Sequence, residues 1–134
     1  MTMSNEPTFP ATVHDVGAKI LAADGTDKIV LFSGNTNGSR IKSISFCTDD
    51  PVEVNVQIWK TINAIDYLLG TVNVPASSGN LKTAPAVDGL NRLSNPWLKE
   101  DCIMVGSATT VKISAIATLT SGKTLYALAE GGDY

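Results

Sequence analysis

Few side chains in this chain have the chemistry for catalysis, and those few are dispersed. His14 is the only imidazole, whereas a histidine-based metal site draws on several imidazoles with a carboxylate. Serine, histidine and aspartate all occur, but no Gly-x-Ser-x-Gly elbow exposes a nucleophile. Asp49-Asp50 and Glu100-Asp101 are adjacent carboxylates. Such pairs can bind calcium at the corners of carbohydrate-binding sandwiches, although adjacent acids more often shape turns. A glycosidase needs two carboxylates facing each other across a sugar-sized cleft, and nothing in the spacing pairs these. Gly131-Gly132 follows the last apolar run and opens no helix, so it does not read as a phosphate loop. Cys47 and Cys102 read as small buried hydrophobes rather than a disulfide. The expectation is no enzyme, no catalytic residue, no cofactor and no metal ligand.

The elements that would position any site are strands. Val52-Glu53-Val54-Asn55-Val56-Gln57-Ile58-Trp59 alternates with period two, placing Val52, Val54, Val56 and Ile58 on one face. Trp59 puts a large ring on the opposite, nominally wet face, where it can lie over a sheet edge or touch a partner. Similar stretches are Ala18–Ala22, Lys28–Phe32, Arg40–Cys47, Ala64–Val74, Cys102–Val105, Thr110–Leu119 and Thr124–Ala129. Leu68, Val72 and Val74 share a phase, with Gly70 a candidate bulge. Val111, Ile113, Ala115 and Ala117 share another. Turn residues punctuate these runs at Asp24–Asp27, Gly34–Gly38, Asp49–Pro51 and Ser121–Lys123. Residues 75–96, with Pro75, Pro85 and Pro96, read as a long crossover with a turn of helix around Gly89–Leu93.

Eight short strands with one long connection predict an all-β, single-domain antiparallel β-sandwich with Greek-key wiring, most simply an eight-stranded jelly roll. Residues 1–17, with Pro7, Pro10 and little periodicity, read as an extended N-terminal arm, and residues 18–134 as the sandwich. Glu130–Tyr134 reads as a polar tail tipped by an aromatic.

Composition narrows the function classes. The chain has 134 residues, enough for one core without staples. Charged residues make up 17%, below the usual ~25%, which suits a protein that meets other protein surfaces. The net charge is −3 and the basic residues are never clustered, which disfavours direct nucleic-acid binding. The start lacks the pattern of a secretory signal and no run approaches the roughly 18 apolar residues of a membrane span. Synthesis in the cytoplasm, without membrane contact, is the expectation.

The order of features from Leu21-Ala22-Ala23-Asp24-Gly25-Thr26 through Asn37-Gly38-Ser39-Arg40-Ile41 and Tyr67-Leu68-Leu69-Gly70 to Ala129-Glu130-Gly131-Gly132-Asp133-Tyr134 resembles a known family. It is similar to the jelly-roll cement, or decoration, proteins of tailed-bacteriophage heads, over residues 18–134. The resemblance implies a virion protein made in the host bacterium, self-associating as a dimer or trimer on the outer capsid surface and clamping adjacent major capsid protein subunits. Candidate interface residues are Phe9 and Pro10 in the arm, Trp59, Trp97 at the Pro96 corner, and Tyr134. The alternative is a lectin-like carbohydrate-binding module, calcium-dependent at the acidic corners, with Trp59, Trp97, Tyr67 and Tyr134 as a sugar platform.

Overall fold

The computed structural model describes residues 12–95 and 102–134. Among the described residues there are nine strands: β1 (Thr12–Leu21), β2 (Ile29–Ser33), β3 (Ser39–Thr48), β4 (Val54–Ile62), β5 (Ile65–Val74), β6 (Val87–Asp88), β7 (Ile103–Val105), β8 (Thr109–Ala115) and β9 (Thr124–Asp133). They form two sheets, one in the order β1-β9-β3-β6 with β7 also on β3, the other β2-β8-β4-β5. Every strand pair is antiparallel.

β6 pairs with Ser45–Phe46 and β7 with Ser39–Ile41, so the two occupy successive parts of the same flank of β3. Counted as one interrupted strand, they complete the eight positions of a jelly roll, and the fold is the β-sandwich that the strand count predicts. The interruption falls in the long crossover. Among its turns is one at Gly89–Arg92, where the Arg92 amide donates to the Asp88 carbonyl (3.1 Å) and the Asp88 carboxylate accepts from the Leu90 and Asn91 amides. The turn expected around Gly89–Leu93 is there, though no helix develops from it.

The core lies between the sheets. Phe32 and Phe46 are fully buried with Ile20, Ile41, Ile44, Ile58, Ile113 and Leu125, and side chains of this size each contribute roughly 1.5–3 kcal/mol on burial. Period-two alternation delivers most of them. Ile41 and Ile44 are three apart yet both inward, because Lys42 is an extra residue between the pairs Ile41↔Gly131 and Ser43↔Glu130.

Several expected boundaries move. β1 takes in Thr12–Gly17, which belonged to the predicted arm, because these residues pair in register with Leu128–Asp133 of β9. Residues 1–11 lie outside the described residues. β9 likewise continues through Asp133, so the supposed polar tail is strand, with Tyr134 immediately after it. Val52 leaves the alternation: it is exposed in the loop before β4, while Val54, Val56 and Ile58 are buried. In β5 the register slips between Ile58↔Gly70 and Trp59↔Leu68, making Leu69 a bulge residue beside Gly70. That slip turns Leu68 outward, whereas Val72 and Val74 face the core. Ala117 is also exposed, since β8 ends at Ala115 and the chain loops away.

Candidate interaction surface

Trp59 sits on the outer face of the β2-β8-β4-β5 sheet, between Lys112 of β8 and Leu68 of β5. Its indole N–H donates to Ser114 Oγ at 2.9 Å. The Lys28 ammonium lies over the ring, 4.0 Å from its centroid, and donates to Asp66 Oδ2 at 2.8 Å. The Thr61 hydroxyl donates to Asp66 Oδ1, with Lys112 Nζ 3.5 Å from the same oxygen. The half-buried indole is therefore part of a network that ties β4, β5, β8 and the approach to β2 together. Trp59→Ala is expected to cost about 2 kcal/mol in urea unfolding through lost packing and the cation–π contact. Unchanged stability with lost self-association would instead make the ring a partner contact.

The Lys28 ammonium, followed by the Thr61 hydroxyl and Lys112, holds the Asp66 carboxyl down at about 2, below its ordinary 3.8. A folded-state value below the unfolded one means that the ionised carboxylate stabilises the fold above about pH 4. That contribution is lost as pH falls toward 2. A melting-temperature series is expected to drop across this window, and Asp66→Asn is expected to flatten the drop.

At the far end of the other sheet, Asp133 Oδ1 accepts from the Ser39 hydroxyl (2.6 Å) and pairs with His14 Nδ1 (2.7 Å). The Ser39 hydroxyl, then His14, holds the Asp133 carboxyl below the usual carboxylate range. The His14 ring also packs on Phe32, with centroids 4.1 Å apart. The lone histidine is thus a structural link between β1, β2 and β9. Tyr134 is half-buried, its amide donating to the Gly38 carbonyl at 3.1 Å, and its phenol lies beside the Arg40 guanidinium.

The Asp49-Asp50 corner is committed to the fold. Asp50 Oδ1 accepts from the Val52 amide (2.9 Å) and the Thr120 hydroxyl (2.8 Å), and Oδ2 from the Thr120 amide (2.9 Å). Burial pushes the Asp50 carboxyl up, but the Thr120 and Val52 bonds and the Lys123 charge outweigh it and the net shift is downward. Asp49 Oδ1 accepts from the Thr124 amide at 2.8 Å. Glu100 and Asp101 lie outside the described residues, and among those described no three His, Cys, Asp or Glu side chains are placed to hold a metal. Cys47 and Cys102 are both free thiols, and each is half-buried.

Of the five candidate interface residues, Trp59 lies on one sheet and Tyr134 just past the β9 strand of the other, and Phe9, Pro10 and Trp97 lie outside the described residues. Two apolar surfaces were not anticipated. Tyr126 (47% exposed) and Leu128 (43%) stand on the outer face of β9, between Lys19 and Cys47 and between Gly17 and Ser45 respectively. Ile62, Ile65 and Tyr67 are exposed on one side of the β4–β5 hairpin and Leu68 on the other, and the turn places Asn63 and Ala64 at positive φ. A signal for the first exists in the sequence: Thr124–Ala129 is apolar on both faces, as a strand covered on both sides would be. The hairpin carries no Asn-Gly, so its tight turn was hidden.

No protein family matches the sequence, and no curated protein matches it. A solved structure described as "Structure of infectious bursal disease virus Gt strain" overlaps 98% of this chain at 14% identity, with a TM-score of 0.33. This chain spans only 36% of the length of the viral chain it matches.

Proposed function

We propose that this chain is a structural virion protein that binds the outer surface of a tailed-phage icosahedral head, self-associates, and cements adjacent major capsid protein subunits. Its work is mechanical, not enzymatic. The observation that carries the reading is how the described side chains are spent. His14, Asp49, Asp50, Trp59, Asp66 and Asp133 bond inward or along the sheets, whereas large apolar groups such as Tyr126, Leu128, Tyr67 and Leu68 are exposed. Apolar contacts rimmed by polar groups on a stiff sandwich suit adhesion to other proteins. The resemblance to cement proteins supports the same reading. Many copies, each bridging a joint between capsomers, would add their contacts cumulatively against internal pressure.

The carbohydrate-binding alternative finds no shared platform in the exposed tyrosines, because Tyr67 and Tyr126 stand on different sheets. The calcium-dependent form of that alternative is weakened at Asp49-Asp50, whose carboxylates hold loops. Quantitative mass spectrometry of purified particles discriminates between the readings: the cement role requires this chain in shell-like copy number, and its absence from particles contradicts that role.

A further inference from the structure

β1 is a ten-residue strand at the edge of its sheet. Among the described residues, no main-chain hydrogen bond outside the β1–β9 ladder involves residues 12–20. A long unpaired edge is a template for another strand. The side chains along its outer face run Val13, Asp15, Gly17, Lys19, Leu21, all exposed. Read from either end, the order is apolar, charged, glycine, opposite charge, apolar.

We infer that the β1 edge is a homodimer interface, in which β1 of one copy pairs antiparallel with β1 of a second copy across a two-fold axis at Gly17. In that register Asp15 faces Lys19 of the partner subunit, Lys19 faces Asp15 of the partner subunit, and Val13 and Leu21 meet their apolar counterparts at the two ends. An isologous contact repeats every pair, so each favourable pairing counts twice. The register has a further support within one subunit. Asp15 lies directly opposite Glu130 of β9 on the same face, and like charges in that position are destabilising. No ion pair among the described residues relieves either of them. A partner lysine beside Asp15 supplies the missing positive charge. At the centre, the paired glycines leave the outer face of the sheet bare at the two-fold axis. The result is one sheet continuous through both copies.

This inference gives a face to the self-association proposed above and does not depend on shell binding, so it is tested on free protein without capsids. Sedimentation equilibrium of the full chain should show a dimer that weakens with added salt. Asp15→Lys and Lys19→Asp should each weaken it by roughly tenfold or more, because two attractive pairs become repulsive. The double variant D15K/K19D should restore it. Asp15→Lys also turns the clash with Glu130 into an attraction, so its melting temperature at low concentration should not fall, which separates lost pairing from lost folding. Gly17→Cys tests the register. Added Cβ atoms at this position meet only ordinary contacts, the nearest being the Ala127 carbonyl at 3.5 Å, and opposed strand residues lie within disulfide reach. Mild oxidation should give a covalent dimer that the wild-type chain, with its native Cys47 and Cys102, does not form. A wild-type monomer at all concentrations, a dimer indifferent to the charge reversals, or no cross-link through Gly17→Cys would overturn the inference. Failure here leaves the shell-binding proposal standing, and failure to find the chain in particles leaves this dimer standing.

Discussion

Replacing Asp50 by alanine is expected to lower the unfolding free energy by roughly 2–4 kcal/mol at neutral pH. The carboxylate is almost fully buried and accepts three hydrogen bonds from two segments: Val52 just after it and Thr120, seventy positions along the chain. Truncation leaves the Val52 and Thr120 amides without their acceptor, and unpaired donors away from water carry most of the cost. The loss is a large share of the ~5–15 kcal/mol typical of a domain. Asp50→Asn keeps the shape and one oxygen, so an intermediate loss is expected. Urea denaturation of the three proteins measures the order, and an alanine variant as stable as wild type would remove Asp50 from its place as the clip between the β3–β4 and β8–β9 connections.

Gly131→Val is expected to cost about 3 kcal/mol or more, or to abolish cooperative unfolding. A Cβ on residue 131 would run into the Arg40 carbonyl and lie 3.0 Å from the Ile41 Cα. These are backbone atoms of the neighbouring strand and cannot swing aside. The close approach lies at the bulge, where Lys42 is the extra residue between the pairs Ile41↔Gly131 and Ser43↔Glu130. Gly131→Ala is expected to fail in the same direction by a smaller margin. A thermal melt by circular dichroism reads both, and a valine variant that melts like wild type would show that β3 and β9 can separate there without loss.

How much of this was legible depends on which residues carried the information. Val54, Val56 and Ile58 announced their strand and its buried face, as did Val111, Ile113 and Ala115, because alternation is local. Bulges were not legible in their effect. The pattern pointed to Gly70 as a weak place, but it could not say that one extra residue at Leu69 turns Leu68 from the core to the outer face. Edge strands were also faint. Val13–Gly17 alternates exposed and half-buried residues around a glycine, and with only one face covered it resembles an arm more than a strand. Gly131-Gly132 looked like a tail for a related reason: glycine gives no periodic signal, and the closeness of β3 that demands it is a tertiary fact. The Trp59 network joins Lys28, Asp66 and Lys112, with Lys28 and Asp66 alone thirty-eight positions apart, so no local motif records it. Composition, with one histidine and dispersed acids, directed attention to surfaces, and the proposed role rests on the exposed apolar groups of the two sheets.

In the proposed role, this sandwich is fastened to the outside of a phage head. A cryo-EM map of the particle that carries the protein decides the matter. The expected map shows this jelly roll on the outer capsid surface, touching at least two neighbouring major capsid protein subunits per assembly. A map that places the chain on a tail or inside the shell, or a capsid surface that carries no such density, would contradict the claim.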